Sequence, residues 1–171
     1  MSRLFKPEAW LATSGLAKSG LVALILAAMT AAGPMAPAFP QGEAPPGSVE
    51  RERFRWPLRG PILEGFKSGE NDGIEIKAPI GEPVHASADG ICTYAGDELK
   101  TYGKLILVRH ADGYVTAYAH LSELMVKEGD KVRRGQIIAK SGGTGAPSPR
   151  LHFELRKDGK PVDPTKSLVP L

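Results

Sequence analysis

From residue 53 onward, apolar and polar positions alternate in short runs, each closed by glycine, proline or an Asp-Gly pair. Period-2 alternation over four to eight residues predicts a strand with one buried face. The clearest case is Arg150-Leu151-His152-Phe153-Glu154-Leu155-Arg156. Leu151, Phe153 and Leu155 form its apolar face, and Arg150, His152, Glu154 and Arg156 the other. Taken alone, that second face reads equally as a solvated surface or as a histidine set among charged neighbours for use.

The same pattern predicts further strands along the chain. Residues 54–66 form a first strand interrupted at Pro57 and Gly60-Pro61. Residues 73–78 turn Ile74 and Ile76 inward, with Glu75 and Lys77 outward. Residues 83–88 and 91–95 are joined by Asp89-Gly90, a hairpin signal. Residues 105–108 are apolar on both faces, as in a central strand. Residues 114–120 follow the Asp112-Gly113 turn, with His120 on the face of Tyr114, Thr116 and Tyr118. Residues 126–132 make a turn with apolar anchors, 136–140 another strand, and 141–149 a Gly/Ser/Pro loop leading to the histidine strand. Asp158-Gly159 turns the chain after it. No stretch of this region carries a sustained helical period, so an all-β domain is expected.

The first 52 residues read differently. Residues 20–32 are an apolar run preceded by Lys18, broken at Gly33-Pro34 and followed by Ala36-Pro37-Ala38. Basic flank, apolar core and A-x-A site predict an exported chain, with residues 1–38 a signal peptide or an N-terminal membrane anchor. No cysteine lies near the break, so lipid attachment there is not expected. Residues 39–53, rich in Pro, Gly and Glu, read as a disordered linker, which leaves 54–171 as the folded domain. Formal charge is +3, and much of it sits in residues 1–38, where Arg3, Lys6 and Lys18 face Glu8. The basic balance therefore makes no case for nucleic-acid binding. The single cysteine, Cys92, lies in a strand-like run and reads as a small buried hydrophobe.

Several short motifs recur in fixed order. Asn71-Asp72-Gly73-Ile74-Glu75-Ile76, Tyr102-Gly103, Tyr118-Ala119-His120-Leu121, Gly129-Asp130 with Gly135-Gln136, Gly142-x-Thr144-Gly145 and Leu151-His152-Phe153-Glu154 span most of the region from Phe54 to Leu168. Together they resemble the LytM domain of lysostaphin-type zinc metallopeptidases, which cut peptidoglycan cross-links. The resemblance implies a barrel-sandwich hybrid of mostly antiparallel sheets. It also implies zinc positions at Asn71, Glu75 and His152, with assisting positions at Arg150 and His120. Residues 126–136 also resemble the turn region of lipoyl and biotinyl carriers, but no Met-Lys-Met is present, so only the architecture is shared.

The residues at those positions are poor for zinc chemistry. A catalytic zinc uses His and carboxylate ligands and one open position for water. Asn71 offers a neutral amide oxygen. The extra methylene of Glu75 moves its oxygens by about 1 Å, while ligand distances hold to about 0.2 Å. Arg150 repels a cation and cannot act as a base. No zinc cofactor is therefore expected. Instead, Arg150 is expected to bridge Glu75 where the metal would sit, with a backbone bend near Gly73. His85 and His110 are expected to be ordinary strand or loop residues.

The departures are similar to the degenerate NlpD- and EnvC-like subset of LytM domains. These do not cleave but activate periplasmic N-acetylmuramoyl-L-alanine amidases in cell separation. The resemblance implies an exported, periplasmic regulator whose groove of Asn71, Glu75, His120, Arg150 and His152 meets an amidase, with peptidoglycan as a second partner. Two alternatives remain open from the sequence: an endopeptidase with an altered zinc site, and a plain peptidoglycan-binding module.

Overall fold

The structure is a computed structural model, and it describes residues 53–169. The expected signal or anchor segment, 1–38, and nearly all of the expected linker, 39–53, lie outside the described residues.

Ten strands form one antiparallel system: β1 (Ile62–Glu64), β2 (Gly73–Lys77), β3 (Pro83–His85), β4 (Gly90–Gly96), β5 (Lys104–Arg109), β6 (Tyr114–Leu124), β7 (Lys131–Val132), β8 (Ile137–Ser141), β9 (Arg150–Lys157) and β10 (Lys160–Val162). Among the described residues, the only helical element is a single 3-10 turn at Pro164–Lys166. The all-β expectation holds. The strand order is β1-β2-β9-β6-β5-β4-β7, with β10 on β9 and β8 linking β3 to β6.

The sheet folds over because its two longest strands change partners. One edge of β9 pairs β2 over residues 150–154 and β10 over 155–157. One edge of β6 pairs β9 through Ala119, then β8 from Leu121. His120, at the changeover, has φ 61°. That left-handed value is uncommon for a residue with a side chain, though histidine tolerates it better than most. It lets a single strand serve two parts of the sheet.

The main core packs Ile74 and Ile76 of β2, Ile106 and Val108 of β5, Tyr118 of β6 and Leu151, Phe153 and Leu155 of β9, all fully buried. At roughly 1.5–3 kcal/mol for each large apolar side chain, this face holds the sheet together. A smaller cluster of Tyr102, Leu105, Leu107, Ala117 and Ala119 lies on the opposite face of β5 and β6.

The hairpin expected at Asp89-Gly90 does not form. β3 pairs β8, whereas β4 pairs β5 and β7. The favoured two-residue turn needs positive φ at both central positions. Asp112-Gly113 and Asp158-Gly159 have it and make the β5–β6 and β9–β10 hairpins, but neither Asp89 nor Gly90 does. Asp89 instead accepts from the Arg134 backbone N–H through Oδ1, at 2.6 Å, and receives His110 Nδ1 on its carbonyl at 2.7 Å. The expected first strand, 54–66, is reduced to β1, with Phe54 bridged singly to Leu168. The expected burial of Cys92 holds, and burial raises its thiol pKa to about 11.

Candidate functional site

β9 lies between β2 and β6, so its polar face is flanked by theirs on both sides. Cross-strand partners put Gly73 opposite Glu154, Glu75 opposite His152 and Lys77 opposite Arg150 on the β2 side. On the β6 side, Ala117 and Ala119 face Glu154 and His152. Small residues beside large charged ones leave room for the latter to lie flat on the sheet. A Cβ added at Gly73 would stand 2.5 Å from the Phe153 carbonyl oxygen and 2.9 Å from Glu154 Cγ. Glycine is thus required there by close approach, its φ is not positive, and the expected bend falls at the preceding residue, Asp72.

The polar face of β9 is not a solvated surface. Glu154 and Arg156 are each 1% exposed and His152 is 7% exposed. His152 donates from Nδ1 to Glu75 Oε1 at 2.8 Å and from Nε2 to Glu154 Oε1 at 2.9 Å. Arg156 donates from Nε to Glu154 Oε2 at 2.9 Å and from Nη2 to Asp72 Oδ2 at 3.0 Å. The Tyr102 ring lies 5.9 Å from that of His152, and its phenol hydrogen-bonds Glu154. One chain of contacts thus runs Asp72–Arg156–Glu154–His152–Glu75.

Electrostatics follow from that chain. Burial alone would lower the His152 pKa, but the hydrogen bonds to Glu154 and Glu75 prevail and raise it to about 9. Burial alone would raise Glu75 and Glu154, but the hydrogen bond and charge of His152 hold both below the usual carboxylate range. His152 is therefore an imidazolium at neutral pH, clamped between two carboxylates. Glu75 Oε2 is buried with no hydrogen-bond partner.

The other expected site residues fall around this row. His120 lies beside it, its ring 5.9 Å from that of His152, with Nδ1 at 2.8 Å from the Thr144 carbonyl oxygen. Simple alternation puts His120 on the Tyr118 face. That face is in fact the core, where Thr116 and Tyr118 bond each other at 3.0 Å, and the left-handed backbone at 120 turns the imidazole to the site. Asn71 spends its amide on the 65–73 segment: Nδ2 donates to the Gly65 carbonyl at 2.9 Å, and Oδ1 accepts from the Gly73 N–H at 3.3 Å. It bonds neither Glu75 nor His152.

Arg150 does not bridge Glu75, contrary to expectation. Its guanidinium bonds the Ser148 carbonyl at 3.2 Å and Ser148 Oγ at 2.6 Å. His152, protonated, already occupies Glu75 Oε1, which removes the need for a second cation there. Arg150→Ala is accordingly expected to change unfolding free energy by less than about 1 kcal/mol. Denaturant melts of the two proteins check this, and a loss of several kcal/mol would mean that the arginine does more than hold its own loop.

Asp72, Tyr102, Glu154 and Arg156 belong to the site although the sequence pattern assigns them no role. The signal that could have found them is the alternation of charge sign along one strand face, with Gly73, Ala117 and Ala119 across from it. His110, expected to be ordinary, is 8% exposed, with Nδ1 against the Asp89 carbonyl and Nε2 2.8 Å from Thr116 Oγ1. Burial lowers its pKa to about 4. His85, half-buried, places Nδ1 3.2 Å from the Pro57 carbonyl oxygen.

Known proteins share this arrangement of strands and motifs. The family model described as peptidase family M23 matches residues 69–164, over half of the chain. The chain belongs to peptidase family M23. This M23 domain is 50% identical over 123 residues to the cell division protein DipM of Caulobacter vibrioides, covering 66% of this chain and 20% of that protein. It is 45% identical over 117 residues to the murein hydrolase activator NlpD of Escherichia coli, covering 67% of this chain and 31% of NlpD. The chain thus spans a fifth to a third of the length of these two relatives. Among solved structures, a zinc-containing peptidase from Vibrio cholerae superposes with a TM-score of 0.64 at 33% identity, over 71% of this chain and 41% of that one.

The zinc of active M23 peptidases can be tested against the side chains in place. Each ring nitrogen of His152 is engaged by a carboxylate, Nδ1 at 2.8 Å from Glu75 Oε1 and Nε2 at 2.9 Å from Glu154 Oε1. The Asn71 oxygen is taken by a backbone N–H. Only Glu75 Oε2 is uncommitted, and one carboxylate oxygen does not make a zinc site. The residues present do not fit the metal.

Proposed function

We propose that this chain is a non-catalytic M23 domain of the cell envelope that activates a peptidoglycan N-acetylmuramoyl-L-alanine amidase by docking it at the groove over His152. The observation that carries the reading is the double clamp on His152, at 2.8 Å from Glu75 and 2.9 Å from Glu154. It converts the best remaining metal ligand into a fixed cation. Water activation by zinc has no place in such a site. What remains is a rigid, pre-organised surface, which suits recognition better than turnover. The names of DipM and NlpD, a cell division protein and a murein hydrolase activator, support the same direction. Export to the periplasm, with or without a membrane tether, belongs to this reading.

In this scheme Arg150 and the 142–149 loop form the rim that meets the amidase, with His120 buried beneath it. A cleft of about 370 Å³ runs beside that loop, lined by Ile80, Ser122, Thr144, Pro147 and Pro149.

The deciding experiment is release of dye-labelled fragments from peptidoglycan by the chain alone and with an amidase from the same cell. Release only with amidase, beyond that of amidase alone, is expected, and Arg150→Glu is expected to cut the stimulation at least tenfold by reversing a rim charge. Release by the chain alone, abolished by a chelator, would make it an endopeptidase and defeat the proposal. No stimulation, with sacculi still bound, would leave a wall-binding module.

A further inference from the structure

A concave site lies away from the His152 row. A cavity of about 610 Å³ is lined by Arg55, Arg59 and Arg134, with Trp56, Leu58 and His85 among its other walls. Its size falls within the range of small-molecule and peptide sites. Three arginines and a single acidic residue, Glu82, are among its lining residues. Arg55 and Arg59 form no ion pair among the described residues.

The arginines are not gathered there by accident of a flexible surface. Arg55 is anchored by its backbone N–H to the Ser87 carbonyl at 2.8 Å. Its guanidinium lies so close over Gly135 that an added Cβ would stand 2.6 Å from Nη1. Gly135 has φ 83° and follows Arg134, whose N–H is fixed to Asp89. The guanidinium of Arg55 and the backbone of Arg134 are thereby brought to one wall, and a wall built from arginines suits an anion. Trp56 is held by its indole N–H to the Val169 carbonyl at 2.8 Å, which fixes the ring as an apolar wall beside the guanidinium groups.

We propose that this pocket binds a short, carboxylate-rich chain, namely a stem peptide of peptidoglycan, and so holds the domain on the wall independently of the groove. The cavity is far larger than a lone phosphate requires, and its several arginines suit several carboxylates. A lipid surface suits it poorly: the exposed large apolar side chains Ile62, Leu63, Ile80, Met125 and Ile137 do not line it. The identity of the ligand rests on the cell-wall setting proposed above; the anion site rests on the arginines alone.

The test is calorimetric titration of the full chain with a soluble disaccharide-tetrapeptide, and with the same compound after its carboxylates are amidated. The parent is expected to bind the first and not the second. Arg55→Gln with Arg59→Gln should weaken binding by roughly tenfold or more while leaving the melting curve in place, and added salt should weaken the parent likewise. Equal affinity of parent and double variant overturns the proposal. So does displacement of the peptide by an equal concentration of inorganic phosphate, which would mark a general anion site. So does arginine-dependent capture on phosphatidylglycerol vesicles without peptide binding. Failure here with amidase stimulation intact sinks only this site. Arginine-dependent peptide binding without stimulation sinks only the activator reading.

Discussion

Arg156→Met is expected to lower the unfolding free energy by about 3–5 kcal/mol, because it removes one partner of a buried ion network and leaves the others charged. Arg156 is 1% exposed and is the only cation bonded to Asp72 among the described residues, while sharing Glu154 with His152. Methionine fills the volume but carries no charge, so Asp72 and Glu154 must protonate or draw in water. Arg156→Lys keeps the charge but loses the fork that reaches two carboxylates and the Gly159 carbonyl at once, and an intermediate loss is expected. Adding Asp72→Asn to Arg156→Met should recover part of the loss, since one stranded carboxylate is then gone. Urea unfolding of the four proteins reads this directly. A shift under about 1 kcal/mol for Arg156→Met would show that water reaches the network and that the row is not sealed.

Stability should peak near pH 6.5 and fall on both sides, through two histidines shifted in opposite directions. His152 has a folded pKa raised from 6.5 to about 9. Its contribution is fully present below pH 6.5 and is lost as pH rises through 9, when the clamp between Glu75 and Glu154 loses its proton. His110 has a folded pKa lowered from 6.5 to about 4. Its unfolded form takes up a proton first on acidification, so stability falls from pH 6.5 down to about 4. Each limb amounts to about 3 kcal/mol at 1.36 kcal/mol per pKa unit. Below pH 4.5 protonation of Glu75 and Glu154, both lowered, steepens the acid limb. Midpoints of urea unfolding from pH 4 to 9 give the profile. His110→Gln should flatten the part between pH 6.5 and 4 and leave the alkaline limb unchanged. A profile level between pH 6.5 and 9 would mean that His152 is not charged in the folded protein.

Much of the domain is legible in the order of its residues. Period-2 alternation locates most of the strands, because burying one face of a sheet leaves a mark at every second residue. Asp112-Gly113 and Asp158-Gly159 are legible because a two-residue turn demands backbone angles that few residue pairs accept. The ordered motifs place Glu75, His120, Arg150 and His152 in one neighbourhood, and Glu75, His120 and His152 do come together.

What alternation cannot supply is which faces the third dimension covers. The polar face of β9 reads as surface in one dimension, yet the fold buries it, and burial turns Glu154 and Arg156 from solvated charges into a buried network. Asp89-Gly90 carries the same letters as a turn but lies in a segment whose partners, Arg134 and His110, are remote in sequence. A single positive φ at His120 reverses the face that periodicity assigns to it. Arg150 meets Ser148 rather than Glu75, whose Oε1 bonds His152 instead. The all-β architecture, the family and the residue types of the groove follow from the sequence, since they rest on local pattern. The protonation of His152, the role of Arg156 and the gathering of Arg55, Arg59 and Arg134 around one cavity come from the tertiary structure alone. Those depend on burial and on pairs distant along the chain, and electrostatic energies are set by such distances rather than by order in the sequence.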